Sequence, residues 1–188
     1  MKTATTILML FCVVAFAQNT FTDPRDKKTY KTAKIGEQVW MAENLNYAAE
    51  SSKCYNDSTA YCEKYGRLYN WQTAIKACPS GWHLPSKEEW DILVNFAGGD
   101  SIAGKKLKAA SGWKSGNGTD EFGFSALPGG FGKSDGSFSV VGNRGYWWSS
   151  SEDSSDYAFF QYMFYDNERA DYLFYGRSGL FSVRCVRD

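Results

Sequence analysis

The stretch CPSGWHLPSKEEW, residues 78–90, joins the end of one predicted helix to the start of another. Pro79 ends the first helix at Cys78, because proline lacks a backbone N–H and its ring clashes with the preceding turn. Ser86 is placed to cap the second helix while Glu89 reaches back to the Ser86 backbone, which is the capping-box pattern. The stretch therefore predicts a tight connector between two helices. Its apolar anchors are Trp82, Leu84 and Trp90.

Cys78 is one of four cysteines that follow residue 17, the predicted end of a signal peptide described below. An even number of cysteines in an exported chain indicates two disulfides, with three possible connectivities. The short spacing favours a Cys54–Cys62 bond, which leaves Cys78 for Cys185. The long bond would tie the first helix to the last strand. Zinc is the competing interpretation, but the C-x7-C spacing and the predicted export both disfavour it.

Three helices are predicted around the connector, at residues 65–77, 87–96 and 100–110. Apolar residues recur three or four positions apart in the first two, which indicates one buried face on each. Gly98 and Gly99 end the second helix, and Asp100 caps the third. The two apolar faces comprise Leu68, Trp71, Ile75 and Cys78 in the first helix, and Trp90, Leu93, Val94 and Ala97 in the second.

The predicted strands have a period of two or are apolar on both faces. A hairpin precedes the helices, and residues 157–165 are apolar enough on both faces for a central strand. The segment 128–145 contains six glycines and is predicted as one long loop with a small hairpin near Asp135. Helices followed by an antiparallel sheet indicate an α+β fold, with two or three helices packed on a small twisted sheet. The predicted strands cover residues 29–35, 38–41, 122–127, 146–150, 157–165 and 180–186.

Residues 1–17 are predicted to be a signal peptide, with Lys2 before an apolar run and an Ala-Phe-Ala cleavage site that ends at Ala17. Residues 18–27 form a lead-in, and 28–188 form a single domain. Phe11 precedes Cys12 where a lipoprotein signal needs a small residue, which disfavours a lipid anchor.

The charges of the chain without the predicted signal peptide are nearly balanced: without Lys2, 20 basic residues remain against 21 acidic ones. This balance argues against nucleic acid or an anionic membrane as the partner, and no later segment is apolar enough for membrane insertion.

Several separated motifs follow one another along the chain: DPRDKKTYKTAKIGEQVWMAENLNY, GRLYNWQTAIKACPSGWHLPSKEEWDIL, GFSALPGG, GYWWSSSE and SVRCVRD. Together, over about residues 23–188, they resemble the Fibrobacter succinogenes major paralogous domain. The resemblance implies an exported bacterial protein, at the cell surface, with a C-type-lectin-like fold. That fold is similar to the one of formylglycine-generating enzymes. The resemblance does not imply the activity of these enzymes. That activity needs a reactive pair of cysteines, whereas Cys185 matches a structural position.

The sequence favours no enzyme chemistry and no required cofactor. His83 is the only histidine, and no nucleophile elbow accompanies it. Oxygen ligands that suit calcium occur in two acidic clusters, for which solvated turns are the alternative interpretation. The sugar-binding strings Glu-Pro-Asn, Gln-Pro-Asp and Trp-Asn-Asp of calcium-dependent lectins are absent. The clusters are Glu152, Asp153 and Asp156, and then Asp166, Asn167, Glu168 and Asp171.

Aromatic residues near the second acidic cluster are the candidate ligand site, because tyrosine rings stack on sugars at low entropic cost. We expect this site to combine the long loop 128–145 with a turn at 165–176. Packing lids are the alternative role for these rings. The expected function is a secreted or cell-surface binding or adhesion module for a polysaccharide or a cell-surface protein; a structural or assembly protein of the cell envelope is the alternative. The site residues are Tyr165, Asp166, Asn167, Asp171, Tyr172, Phe131 and Phe138.

Overall fold

A computed structural model describes residues 19–188, so the predicted signal peptide at 1–17 lies outside the described residues. The fold is mixed α+β. The helices are α1 (Thr59–Tyr65), α2 (Trp71–Ala77), α3 (Lys87–Phe96) and α4 (Asp100–Leu107). The longer strands are β1 (Asn19–Thr22), β2 (Thr29–Ile35), β3 (Gln38–Met41), β9 (Arg144–Glu152), β10 (Tyr157–Phe164) and β11 (Asp171–Gly176). The two-residue strands are β4 (Ser52–Lys53), β5 (Leu68–Tyr69), β6 (Trp82–His83), β7 (Phe131–Gly132), β8 (Phe138–Ser139), β12 (Phe181–Ser182) and β13 (Val186–Arg187).

Two sheets form the body of the domain. The first has the order β1-β2-β3-β13-β6, and the second has the order β11-β10-β9-β12-β5-β4. All pairings in both sheets are antiparallel except that of β12 with β9. The predicted lead-in contains β1, which pairs with β2. Strands β7 and β8 pair in the glycine-rich loop and confirm the predicted small hairpin.

The connector at 78–90 and helix α3 are confirmed. The Ser86 hydroxyl accepts from the Glu89 N–H, and the Glu89 carboxylate accepts from the Ser86 N–H, which completes the capping box. The predicted face of α3 is buried from Trp90 to Ala97. Both predicted disulfides are present. Cys54 bonds to Cys62 with a Cα–Cα distance of 5.0 Å, and Cys78 bonds to Cys185 at 5.9 Å.

The predicted single helix at 65–77 is wrong. The chain instead ends α1 at Tyr65, runs through β5 and begins α2 at Trp71. Gly66 has a positive φ of 76°, and a Cβ there would lie 2.8 Å from the Asn44 Cβ, so the chain turns where only glycine fits. Asn70 then caps α2 by accepting from the Thr73 N–H at 2.9 Å. Ile75, predicted to face the core, is 38% exposed.

Two further predictions differ from the structure. Residues 122–127 make only an isolated bridge, between Ala126 and Lys108, and Ser125 takes a positive φ of 53° that interrupts an extended strand. The predicted last strand at 180–186 divides into β12 and β13, which enter different sheets. Within segment 122–127, Phe122 is half-buried and Phe124 is buried. The connector anchors Trp82, Leu84 and Trp90 are buried.

A buried arginine holds the segments around β3, β9 and β13 together. Arg184 is fully buried, and burial lowers the pKa of its guanidinium to about 9. Its Nε and Nη2 donate to Asn44 Oδ1 at 3.0 and 2.7 Å, and its remaining donors reach backbone carbonyls. Trp147 Nε1 also donates to Asn44 Oδ1, at 2.8 Å. The carbonyl acceptors belong to Met41, Phe124 and Ser125.

His83 lies between two carboxylates. Its Nδ1 lies 2.6 Å from Asp188 Oδ1, and its Nε2 lies 2.7 Å from Glu89 Oε1. Burial alone would lower the pKa of His83. The hydrogen bonds to Asp188 and Glu89 have a larger, opposite effect, so the pKa lies above its ordinary value. Both ring nitrogens face carboxylates, and the imidazolium form satisfies both. The histidine therefore links β6, the cap of α3 and the last residue.

We expect thermal stability to fall as the pH rises through the His83 pKa. A pKa raised in the folded state gives a stabilisation that is complete below the unfolded value of about 6.5 and is lost above the folded value. The group is partly solvated, so the effect should be about 1 kcal/mol or less, or about 2 to 4 °C at most. Melting temperatures of the parent and His83→Gln between pH 5 and 9 test this. Identical pH profiles for the two proteins would contradict it.

Candidate ligand-binding grooves

Strand β10 presents different side chains on the two faces of the second sheet. Phe160, Tyr162 and Phe164 alternate with Phe159, Gln161 and Met163, so the two sets point to opposite faces. Residues directly opposite in an antiparallel pair share a face. Leu173 is opposite Phe160, and Tyr172 is opposite Gln161. The pairing with β11 therefore gives the sheet an aromatic face and a more polar one.

The first face carries a cavity of about 250 Å³, which we call the aromatic groove. Phe131 of the glycine-rich loop packs edge-on against Tyr146 and Tyr175, with ring centroids 5.3 and 6.1 Å away. Burial raises the pKa of Tyr146 and Tyr162, so their phenols stay protonated at neutral pH. The groove offers apolar contact with few hydrogen-bonding groups. It is lined by Phe131, Tyr146, Phe160, Tyr162, Phe164, Leu173, Tyr175 and Phe181.

The opposite face carries a larger cavity of about 610 Å³, which we call the polar groove. It lies between α3, the start of α4 and strands β10 and β11. Carboxylates, amides, an ammonium group and a phenol ring all border it, so it offers both hydrogen bonds and an aromatic surface. It is lined by Lys87, Asp91, Val94, Asn95, Gly99, Asp100, Gln161, Ala170, Asp171 and Tyr172.

Gln161 is the unusual member of the polar groove. The residue is 2% exposed, and its Nε2 has no hydrogen-bond partner among residues 19–188. A buried donor without a partner costs about 1 to 3 kcal/mol, so native proteins rarely keep one without a reason. Gln161 lines the groove directly opposite Tyr172. Because Nε2 is covered from solvent, a ligand oxygen in the groove would satisfy this amide after a small local shift of the side chain.

Tyr172 and Lys87 form the rim of the polar groove. Tyr172 is 48% exposed, and Lys87 Nζ lies 4.0 Å from the centroid of its ring. Lys87 also donates to Asp91 Oδ2 at 2.8 Å, and this hydrogen bond raises the Lys87 pKa. The Phe159 ring meets Tyr172 edge-on at 5.9 Å and supports it from the strand. An exposed aromatic ring is thus held beside charged and amide groups.

The structure separates the predicted site residues into four places. Asp171 and Tyr172 line the polar groove, and Phe131 lines the aromatic groove. Phe138 packs on Tyr55, with ring centroids 5.2 Å apart. In the remaining turn, Tyr165 is half-buried against the core beside Lys114, Asp166 is exposed, and Asn167 Oδ1 accepts from the Arg169 N–H. The segment 165–176, expected to be a turn, contains strand β11, which pairs with β10 along its length.

Three of the six acidic residues expected as calcium ligands pair with cations, namely Glu152, Glu168 and Asp171. Arg169 pairs with Asp171 at 2.7 Å and with Asp100 at 2.9 Å, and Lys105 pairs with Glu168 at 2.7 Å. Arg177 pairs with Glu152 at 2.9 Å. Within residues 19–188, no group of three or more histidine, cysteine, aspartate or glutamate side chains is arranged to hold a metal ion. These carboxylates therefore balance neighbouring positive charges.

The polar groove contains residues that the sequence analysis did not select, namely Gln161, Lys87, Asp91 and Asn95. A signal for Gln161 was present, because it is the one amide in the apolar run YAFFQYMFY. The other residues belong to the exposed side of α3, where polar residues are expected in any surface helix. Only the packing of α3 against β10 and β11 shows that they share a groove with Gln161.

These features define a disulfide-linked α+β domain with two grooves on opposite faces of one sheet. The model of the Fibrobacter succinogenes major domain matches residues 33–187, and the chain belongs to this family. No curated protein and no solved structure was found to match the chain significantly. Over residues 19–188, none of the helices has the length and apolar character that a membrane crossing needs.

Proposed function

We propose that this protein is a secreted or cell-surface binding module without enzymatic activity, and that it binds a polysaccharide in the polar groove. The observation that carries the proposal is the buried, unpaired Gln161 amide, which lines the groove opposite the exposed Tyr172 ring. Sugars present hydroxyls at the edge of an apolar ring face, so their recognition needs hydrogen-bonding groups beside an aromatic surface. The polar groove offers both, whereas the aromatic groove offers mainly rings.

The proposal includes a C-type-lectin-like fold, in which helices and strands form the scaffold and surface elements carry recognition. Two disulfides are compatible with an extracellular location. Non-enzymatic binding is supported by the position of His83, whose ring nitrogens both face carboxylates and which does not line the polar groove. The alternative, a structural or assembly protein of the cell envelope, is favoured by one observation, the open edge of strand β11.

We expect Gln161→Met to abolish polysaccharide binding while leaving the domain equally or more stable. Methionine has a similar volume and removes the unpaired donor. The free energy of unfolding should therefore rise by about 1 kcal/mol when the neighbouring side chains pack fully around the methionine. Affinity measured by pull-down and titration with a panel of polysaccharides, together with the melting temperature, tests this. A parallel loss of binding and stability would indicate that Gln161 is only a core residue.

We expect Tyr172→Ala to weaken binding by about 1 kcal/mol or more, roughly fivefold or greater, with little loss of stability. The ring is exposed on an edge strand and contributes little to the core. Tyr165→Ala is the matched control, because this tyrosine is half-buried against the core and should lose stability but not affinity. The reverse result, with stability falling in Tyr172→Ala, would make Tyr172 a packing lid.

Binding should be unchanged by EDTA, because the carboxylates Asp91, Asp100 and Asp171 of the groove already pair with Lys87 and Arg169. The same polysaccharide panel measured with and without EDTA provides the test. Loss of binding on chelation, restored by added calcium, would show that the acidic residues act as metal ligands.

A further inference from the structure

Strand β11 lies at the edge of the second sheet and pairs only with β10 among the described strands. Its four central residues are large and apolar, and each is between 36% and 49% exposed. They are Tyr172, Leu173, Phe174 and Tyr175. Its outer edge and its apolar side chains are therefore both open.

Exposed sheet edges in soluble proteins are normally protected by lysine, proline, a bulge or a covering element. Between Asp171 and Gly176 the strand has neither lysine nor proline, and its register with β10 is regular. No described strand covers its outer side. An edge of this kind is suited to pair with another strand, since the added hydrogen bonds and apolar contacts both favour it.

The backbone direction along β11 follows from a hydrogen bond at its end. The Arg177 N–H donates to the Asp156 carbonyl at 3.0 Å, so these two opposite residues form a hydrogen-bonded pair. Such pairs alternate with non-bonded pairs in an antiparallel ladder. Asp171, Leu173 and Tyr175 consequently bond towards β10. The N–H and C=O groups of Tyr172 and Phe174 and the N–H of Gly176 point to the open edge, whereas the Gly176 carbonyl already accepts from the Gly179 N–H at 2.9 Å.

We propose that two copies of this chain pair antiparallel through β11, about a two-fold axis at Phe174. Phe174 then faces Phe174 of the second copy, and Tyr172 faces Gly176. The outward N–H and C=O groups of Tyr172 and Phe174 and the N–H of Gly176 find partners in this register, and the Gly176 carbonyl accepts a second hydrogen bond through its other lone pair. The two sheets become one continuous sheet, and the two-fold axis is perpendicular to it, so each face keeps its own groove.

Charge selects this register. Pairing about Phe174 places Asp171 of each copy opposite Arg177 of the second copy, so opposite charges meet at both ends and extend the existing pairs of Asp171 with Arg169 and of Arg177 with Glu152. Shifting the axis to Leu173 would instead place Arg169 opposite Arg177, which brings like charges together. That shift would also need the Ala170 N–H, which already donates to the Asp100 carbonyl at 2.9 Å. The register about Phe174 therefore satisfies both the backbone and the charges.

Sedimentation equilibrium over a range of protein concentrations tests the pairing. The parent is expected to pass from the mass of one chain to that of two. Phe174→Lys and Phe174→Glu should each remain at the mass of one chain, because like charges then face each other on the axis. An equimolar mixture of the two variants should recover the mass of two chains. Phe174 lines neither groove, so failure of polysaccharide binding would not affect this result.

Ile92→Lys is the matched control, since Ile92 is a comparably exposed apolar residue on α3, and this variant should associate as the parent does. Melting curves establish that each variant is folded. A parent that stays at the mass of one chain at every concentration, or a Phe174→Lys variant that associates like the parent, would overturn the proposal. Either result would leave the edge to a strand of a different protein.

Amide hydrogen exchange of the parent tests the pairing without any substitution. The amides of Tyr172, Phe174 and Gly176 should exchange about tenfold or more slowly at high than at low protein concentration. The amides of Leu173 and Tyr175 already bond towards β10 and should change much less. Equal exchange of both sets at all concentrations would contradict the proposed edge.

Discussion

Arg184→Met is expected to lower the free energy of unfolding by about 3 to 5 kcal/mol, because it leaves several buried acceptors without donors. The guanidinium donates to Asn44 Oδ1 and to three backbone carbonyls in a fully buried site. Trp147 Nε1 still donates to Asn44, which limits the loss there. The carbonyls of Met41, Phe124 and Ser125 have no such substitute side-chain donor. Urea denaturation measures the change.

Arg187→Met is the matched control for this substitution. Arg187 is exposed, three positions away, with its guanidinium over the Trp82 ring at 4.9 Å. The same change there should alter stability by about 0.5 kcal/mol or less. Arg184→Lys should fall between the parent and Arg184→Met, since one ammonium cannot reach all the acceptors of a planar guanidinium. Equal midpoints for Arg184→Met and Arg187→Met would refute the proposed central role of Arg184.

Removal of the Cys78–Cys185 disulfide is expected to cost about 4 to 5 kcal/mol. The bond spans 107 residues, and in the loop-entropy model a cross-link over a longer segment restricts the unfolded chain more. The double substitution Cys78→Ala and Cys185→Ala avoids a free thiol. Cys185 is also completely buried, so lost packing adds to the effect. Chemical denaturation of the oxidised parent and the double variant gives the difference.

The Cys54–Cys62 disulfide provides an internal comparison, because it spans only 8 residues. The same model gives about 2.5 kcal/mol for its removal by Cys54→Ala and Cys62→Ala. Arg67 donates to the Ser52 hydroxyl at 2.8 Å and should keep part of this loop in place. A short-loop variant that loses as much stability as the long-loop variant would rule out loop length as the main cause.

The parts of the fold that sequence reasoning predicted are those fixed by local chemistry. The capping box of Ser86 and Glu89 needs only residues within one helical turn, so α3 was predicted with its observed bounds. The disulfides followed from the number and spacing of the cysteines. Strands β2 and β3 followed from alternation on either side of the turn at Gly36.

The parts that sequence reasoning missed depend on distant partners. Leu68 and Tyr69 fit a helical pattern, but they pair with β12 and β4, and the turn at Gly66 is required by Asn44. Segment 171–176 follows acidic and polar residues typical of a turn, yet β10 offers it a complete ladder. The polar groove was missed for the same reason, since Gln161 meets Lys87 and Asp91 only through the packing of α3 on the sheet.

The division of the last strand into β12 and β13 has a consequence for the order in which the chain folds. Both strands are internal, β13 between β3 and β6 in the first sheet and β12 between β9 and β5 in the second. Neither sheet can be completed while residues 181–187 are missing. Synthesis reaches these residues after every other described strand and helix, and folding of a domain follows the arrival of its segments. Both sheets therefore stay incomplete until residues 181–187 have left the ribosome.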